Sequence, residues 1–589
     1  MRDNKLSKSP SENKKLANKR SRHGGHIIKK FPSSRELYKF IRSLTKKIPI
    51  KGSKKKILKQ RKKYHRFLMH LYVGMRQQPM YKDKFAKRKG FIPVYSRLIE
   101  REFGRDFAIQ LLRKKGIIEI KPHNTMGKKC REFRLTPEIF DQANDIELGS
   151  VFQRLRNLID GNEQADIVNL MTGRREKIKI RSKLTGSHGG IRDTNTPKLI
   201  RDSINSLKPC PFNPKYIYLW LKRLNAKYER EKKNYKKAKS KYADGSPELV
   251  MAEKEYVRAQ GRYLNDMRGA ETILNQNPQR LKIKSEKGDL IYEYQAAYSI
   301  QKSGRISEIN GGFQSSSKYF KHQLFRGIKN MRMNYDLKNS QAQILLQELK
   351  ACDLKCSWLE SYLSDRDAKN KYAAKVGIPA ELWKQCFYSL VMGAEVSEER
   401  NKFGTVFLNL EDYFKGDTSK TEDAYKRFLK AVRPLIRATE KWRDHIYRTD
   451  DSRFTYTHGG IKHWKNACEM HFKEFGIAKG KNGKEQLMKK NLKGNYTKGG
   501  SIKTCKRKLA AFILQGHEAC FIHHLTAICT DKGIPVYKNE HDGLVTGKKV
   551  PGRLVRKAAR KANLDYAELK RKPLCNKDQR EEMKKYVEG

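Results

Sequence analysis

A seven-residue spacing of large side chains between Pro214 and Asn275 constrains this chain more than any other feature. Leu221, Tyr228, Tyr235 and Tyr242 recur at that interval, Asp244-Gly245-Ser246-Pro247 breaks the run, and Tyr256 and Tyr263 resume it. A stripe on one helical face, a turn and a second stripe predict a long antiparallel helical hairpin. The Lys and Arg residues interleaved with the stripe make, by default, a solvated charged face.

Two further stretches carry candidate chemistry. Met331–Leu349 and Ile534–Val545 each place one aspartate, Asp336 or Asp542, at the end of a short strand-like run. A helical run (Ile344, Leu345, Leu346, Leu349) follows the first, and the second sits in a tight turn between VYKNE and LVTG. Two carboxylates on neighbouring strands can hold a pair of divalent cations about 3.5–4 Å apart, the arrangement that clamps an in-line phosphoryl displacement. Taken singly each has an ordinary reading: Asp542-Gly543 is a hairpin turn signal, and Asp336 is a helix cap.

Composition narrows the partner. The chain has 589 residues, enough for several domains, and Lys+Arg 130 against Asp+Glu 63 gives a formal charge of +67. Such an excess is the electrostatic footprint of a polyanion partner, because each neutralised phosphate releases counterions. No apolar run approaches the ~20 residues of a membrane-spanning helix, so nucleic acid rather than a membrane is expected. Ten cysteines without a CxxC pair do not make a disulfide framework, and the start of the chain lacks the apolar core of a secretory signal. A reduced, cytoplasmic, nucleoid-associated protein is expected. Cys520, His523 and His524 have helical spacing that would suit a metal, but an apolar helix with incidental polar residues explains them better in the absence of a second ligand pair.

In chain order, residues 1–60 read as a basic disordered arm with a short helix around Arg35–Leu44. Residues 61–140 read as a winged-helix-like module: an apolar helix over Tyr64–Met75, helices in VYSRLIEREFG and DFAIQLLRKKG, the strand IIEI, a basic loop HNTMGKKC and a returning strand REFRL. Such a module binds duplex DNA or serves as a protein adaptor. Residues 141–213 connect it to the hairpin of 214–290. The remainder divides into 291–370, a 371–500 section with a Lys/Gly-rich insertion at Ile461–Ser501, and 501–589.

The order of motifs after the hairpin carries a resemblance. Ser303-Gly304-Arg305 is followed by Gln314, then by the Asp336 stretch, then by PAELWKQCFYSLVMGAEV with Lys384, Tyr388, Met392 and Gly393. Leu514-Gln515-Gly516 and His541-Asp542 complete the series. Residues 215–589 thereby resemble the polymerase domain of family A DNA polymerases and the related phage-type single-subunit RNA polymerases. The resemblance implies an α+β right-hand fold: an antiparallel palm sheet, helical fingers and a helical-hairpin thumb, preceded here by a mainly α winged-helix-like region. It implies two Mg2+ ions (with Mn2+ as a substitute) on Asp336, Asp542 and the Leu337 carbonyl. Lys384 would contact the triphosphate and assist pyrophosphate departure; Gln341, Tyr388, Met392 and Gly393 would form the nucleotide pocket. Arg305, Gln314, Gln515 and His541 would contact the primed DNA template. A monomer acting on nucleoside triphosphates, with no membrane partner, is expected.

The chain departs from the family pattern in three places. The arginine one turn before the motif lysine is Ala380, which shifts a second triphosphate contact towards Lys375. The tyrosine before the motif glycine is Met392, and the acid after the second aspartate is Gly543. For the sugar, Gln341 is large enough to crowd a ribose 2′ position, Tyr388 matches the DNA enzymes, and the Met392 thioether is a poor ribose acceptor. All three favour deoxynucleotides. The spacing Asp336-x3-Ser340-x2-Gln343 instead resembles the RNA enzymes. Residues 1–210 offer no spaced acidic set for proofreading, so a non-proofreading DNA polymerase of a plasmid, phage or other mobile element is the leading expectation. A single-subunit RNA polymerase or primase is the alternative, and a non-enzymatic replication initiator is the reading from another class.

Overall fold

The computed structural model describes residues 32–77, 90–94, 96–104, 107–121, 131–162, 167–169, 196–276, 278–308, 312–328, 333–394, 396, 404–414, 417–452, 454–479, 485–490 and 495–588. The basic arm up to residue 31, the basic loop 122–130 and most of the segment before Thr196 lie outside them. The architecture is mixed α+β, with long helices and small antiparallel sheets. Among the described residues no helix is long and apolar enough to cross a membrane.

The N-terminal part has its own core. Helix Arg35–Lys46 starts at Ser34, whose hydroxyl accepts from the Leu37 amide, and helix Lys54–Gln77 follows. Strand Ile92–Val94, helices Ser96–Phe103 and Ile109–Lys114, and strands Ile118–Lys121 and Arg131–Leu135 complete it, with 131–135 central in a three-stranded antiparallel sheet. Phe67 meets Phe103, Phe107 and Phe133 edge-on, with ring centroids at 5.7, 5.4 and 5.6 Å. The sequence reading misses one element here. VYSRLIEREFG is not all helix, because Ile92 and Val94 alternate inward as a strand and the helix begins only at Ser96.

Helix Pro137–Asp160 joins this core to the main one. Phe140 and Ala143 pack in the first, whereas Leu148, Val151, Leu155 and Leu158 pack in the second. The expected divisions at 60/61, 140/141 and 290/291 therefore do not hold: they fall inside helix Lys54–Gln77, this shared helix and strand Leu290–Tyr294.

The tyrosine hairpin forms as its spacing predicts. Helices Pro214–Lys241 and Pro247–Leu274 run side by side, each starting with Pro in its first turn behind a capping side chain, Asn213 or Ser246. Tyr235 stacks on Tyr256 at 5.2 Å, and Tyr228 stacks on Tyr263 at 5.4 Å. Each such pair adds about 0.5–1.5 kcal/mol beyond area burial. Tyr242 lies just past the first helix in extended backbone and takes no part in the stack.

Charged groups lock the N-terminal part to the hairpin. Arg76 pairs with Glu271 at 2.8 Å, each side chain only 4% exposed. Arg268 donates to the Arg76 carbonyl at 3.0 Å, and Arg154 donates to Asn275 at 2.9 Å. Glu147 accepts from the Ser34 amide and hydroxyl at 3.1 and 2.8 Å.

Beyond the hairpin, four strands make an antiparallel sheet in the order 536–539, 543–546, 333–337, 569–572. Helix Ile502–Asp531 packs behind it, and helices from Ser357 to Arg448 rise on one side. The Lys/Gly-rich insertion is not an irregular loop. Residues 455–498 form a five-stranded antiparallel meander, with His458-Gly459-Gly460 at its first turn.

Removing one partner of a buried ion pair costs about 3–5 kcal/mol because a bare charge stays behind. Arg76→Met is therefore expected to lower the melting temperature of the chain. The double variant Arg76→Met/Glu271→Leu is expected to recover most of the loss, and thermal unfolding compares the two.

Candidate active site

Asp336 and Asp542 come together because their strands pair. Asp336 stands opposite Gly543, and the Leu337 amide donates to the Asp542 carbonyl at 2.7 Å. The turn carrying Asp542 is held from within. Glu540 donates to the Gly543 carbonyl, Asp542 donates to the Glu540 carbonyl, and the His541 amide donates to Asn539 Oδ1. His541 takes a left-handed φ of 68° to close it. Gly543 admits no side chain: a Cβ there would lie 2.1 Å from the Tyr335 carbonyl oxygen and 3.1 Å from Asp336 Oδ1. That close approach leaves no room for an acidic side chain directly after Asp542.

The electrostatics follow from this crowding. Burial, and then the neighbouring Asp336 carboxylate, push the Asp542 carboxyl above its usual range, with Arg305 and Lys572 acting against them. Glu540 is likewise raised, first by burial, and feels both aspartates; Lys321 holds it at 2.6 Å. The Lys572 ammonium binds Asp336 directly. A cation thus already sits on the exposed carboxylate, on a flexible and half-exposed stem.

Oxygen donors alone suit a hard cation such as Mg2+, which needs only one or two carboxylates when water and substrate phosphates complete its shell. Among the described residues no three His, Cys, Asp or Glu side chains gather into a metal cluster. The pair Asp336 and Asp542, with the Leu337 carbonyl next along the strand, fits the smaller requirement. Lys572 marks where positive charge is wanted.

Helix Ala380–Val391 brings the other candidates. Tyr388 donates to Asn339 Oδ1 at 3.4 Å, at the cap of helix Ser340–Ala351, and burial raises its phenol, with Tyr362 and Asp542 adding to the rise. Gln341 lies partly exposed in the first turn of the capped helix. Lys384 is exposed one turn before Tyr388. Met392 caps the helix, and Gly393 ends it in a left-handed conformation (φ 88°) where a Cβ would lie 2.9 Å from the Arg507 carbonyl. Gly393 is thus required by the backbone. Lys375 lies over the Tyr372 ring at 5.1 Å.

The DNA-contact candidates fare differently. Arg305 is ion-paired to Glu518, 13% exposed against 0% for its partner, and Glu518 also accepts from Ser340. The guanidinium is turned inward as a strut between the Ser303-Gly304-Arg305 loop and the helix after Asp336, not outward to a duplex, although its Nε stays unpartnered among the described residues. Gln314 is engaged within the protein: its oxygen accepts from the Glu308 amide at 2.7 Å and its nitrogen donates to the Ile306 and Asn539 carbonyls. It joins strand 306–308 to the turn strand and spends both amide protons there. Gln515 remains partly exposed, beside Gly516, where a Cβ would strike Asn466 at 2.4 Å. Burial, followed by Arg305 and Lys321, lowers the pKa of the His541 imidazole.

Glu518, Glu540 and Lys572 escaped the sequence reading, since nothing local marks a helix glutamate or an edge-strand lysine. The Cys520/His523/His524 group resolves as an apolar helix. His523 donates from Nε2 to the Gly304 carbonyl at 2.9 Å, which leaves Nδ1 to accept from Ser203 at 2.5 Å. Burial pushes its pKa down to about 4.

No protein-family model and no curated protein sequence matches the chain.

A raised carboxyl pKa means that the folded state binds this proton more tightly than the unfolded chain does. Ionised Asp542 therefore destabilises the metal-free fold above its folded pKa, and the penalty vanishes below the ordinary carboxylate range. Asp542→Asn is expected to raise the melting temperature of metal-free protein at pH 7, with the gain shrinking towards pH 4, as thermal unfolding at the two pH values would show.

Proposed function

We propose that the chain is a template-directed nucleotidyltransferase, a DNA polymerase without proofreading, working in a right-hand fold. The observation that carries this reading is that Asp336, on its strand, lies beside Asp542, in the turn leading into the neighbouring strand, with the Tyr388 helix packed at the cap of the helix after Asp336. In this reading the four-stranded sheet is the palm, the tyrosine hairpin the thumb, and the helices around 380–448 the fingers. The N-terminal winged-helix-like module holds template, and the +67 charge serves phosphate contact.

The reaction joins a primer 3′-oxygen to the α-phosphorus of a nucleoside triphosphate and breaks the α–β bridge, releasing pyrophosphate. Two Mg2+ ions on Asp336, Asp542 and the Leu337 carbonyl would supply a more acidic 3′-hydroxyl and neutralise the leaving group. Lys384, exposed on its helix, places a mobile ammonium towards the triphosphate. Tyr388 offers its ring to the incoming base, and Gln341 crowds the sugar's 2′ side. Arg305 and Glu518 position rather than contact: they fix the helix that follows Asp336. Lys572 swings off Asp336 when a stronger cation arrives, a small motion for a half-exposed lysine.

One observation favours RNA synthesis as a second reading. Ser340, in the Asp336-x3-Ser340-x2-Gln343 spacing, is engaged by Glu518 in the wall of the site.

Primer extension on a DNA template with magnesium tests the proposal. Asp336→Asn and Asp542→Asn are each expected to abolish nucleotide addition while leaving affinity for primed DNA within a few-fold. Loss of binding in step with addition would point to a binder alone. Offering dNTPs and rNTPs in parallel decides the product, and synthesis without a primer would move the assignment to primase or transcriptase. Gln341→Ala is expected to raise rNTP use by at least tenfold, since discrimination by a single hydroxyl rests on a few kcal/mol.

A further inference from the structure

Three cations around the carboxylate pair are matched by acids: Lys572 by Asp336, Lys321 by Glu540, Arg305 by Glu518. A second group of cations nearby is not. A cavity of about 460 Å³ opens between helix Lys318–Leu324, the end of edge strand Leu569–Lys572 and the start of helix Lys577–Glu588. His322, Arg326, Arg571, Lys577 and Arg580 line it, and no Asp or Glu does among the described residues. Arg326, Arg571, Lys577 and Arg580 form no ion pair among the described residues; Arg326 rests on the Tyr216 ring at 4.6 Å. Four cations gathered in one concave place repel one another unless an anion joins them.

Two further features point the same way. The helix that begins at Lys577 is braced at its start by a reciprocal cap, in which the Gln579 amide donates to Asn576 Oδ1 at 2.7 Å and the Asn576 amide to Gln579 Oε1 at 3.2 Å. Asn576 and Lys577 both face the cavity, so the positive end of the helix dipole adds to the field there. Strand alternation does the rest. Asp336 pairs in register with Lys570 and is bound by Lys572, while Arg571, between them, reaches the cavity. One edge strand thus delivers cations to the carboxylates on one face and to the cavity on the other.

We propose that this cavity is a phosphate-binding site that takes the backbone of a nucleic-acid strand passing the edge of the carboxylate sheet. Its chemistry, several guanidinium groups and a helix start around a cavity within the ordinary ligand range, is that of phosphate recognition. Phosphodiesters of a bound strand and free polyphosphate share that chemistry. The edge-strand continuity with Asp336 favours the strand. The site rests on charge and shape and not on nucleotide addition, so a full-length Asp336→Asn chain is expected to bind through it unchanged; failure of the catalytic proposal and failure of this one remain distinguishable.

The test titrates full-length protein into a short fluorescent oligothymidylate at several salt concentrations, read by anisotropy. Arg571→Gln/Arg580→Gln is compared with Lys557→Gln/Arg560→Gln, which removes the same charge from an exposed helix face elsewhere. Loss of two phosphate contacts is expected to reduce the salt slope by about 1.4, at ~0.7 per single-strand phosphate, with at most half that change in the control. The charge-keeping Arg571→Lys/Arg580→Lys is expected to restore most of the slope, which separates lost contact from lost fold. Tripolyphosphate binding by calorimetry forms the second arm. If the glutamine variant loses tripolyphosphate but keeps the oligothymidylate slope, the phosphate site stands and the strand as its occupant is overturned. If it matches the control for both ligands, the site itself is overturned.

Discussion

Two carboxylates held side by side repel each other, and the surroundings of Asp336 and Asp542 are built to keep them there. The backbone does most of the holding. Strand 333–337 is bonded on both sides, to 543–546 and to 569–572, and the Leu337 amide reaches the Asp542 carbonyl itself. Ladder bonds on either side fix Asp336, and the bonds within the 540–543 turn, with the Leu337 amide, fix Asp542. The absence of a side chain at Gly543 lets the strands close until the Asp336 carboxylate lies over the residue after Asp542. In the proposed reading this repulsion would be relieved by metal ions, and Lys572 now lies on Asp336 in their place.

The same constraint explains why buried charges cluster behind the pair. Glu518 receives both Arg305 and Ser340, so the loop before the sheet and the helix after Asp336 are joined through one carboxylate. Lys538, fully buried, pairs with Glu308 at 3.2 Å and lies over the Tyr294 ring at 4.2 Å, while Gln314 ties the same strand to Asn539. Such polar contacts add little net stability compared with apolar packing, but they fix geometry, because each has one satisfied arrangement. Helix Pro137–Asp160 and the Arg76–Glu271 pair extend that rigidity to the N-terminal core. In the proposed reaction a template gripped by that core would be delivered at a fixed offset from the carboxylates.

What the sequence made legible was local. The heptad tyrosines other than Tyr242, the break at Asp244–Pro247, the helix from Ala380 to Val391 and the turn around His541-Asp542 are all written in spacings of a few residues, and they appear where expected. Pairing partners far apart in the chain were not legible. Strand 569–572 reads as LKRK, a charged run that suggests loop or tail, and becomes a strand only because the edge of 333–337 needs a partner. The meander of 455–498 was hidden by Lys and Gly, whose weak strand propensity is overridden by its cross-strand pairs and by Trp464 and Phe475 turning inward. Arg305 and Gln314 were placed correctly near the pair. Their inward use depends on Glu518 and Asn539, which no spacing connects to them.

The third acid of the site shows how geometry redistributes charge. A carboxylate directly after Asp542 is sterically impossible, because the Tyr335 carbonyl occupies its space. The chain carries Glu540 instead, two residues earlier, where the turn brings it within the field of both aspartates. There it is matched by Lys321, from the helix whose next residue, His322, lines the cationic cavity. Glu540 and Asp336 are thus each matched by a lysine, and the cavity's cations, which form no ion pair among the described residues, carry part of the chain's positive excess. In the proposed reading a polyanion would meet those cations at the rim and the carboxylate pair at the floor, so that phosphates would be drawn in without neutralising the carboxylates that would hold metal.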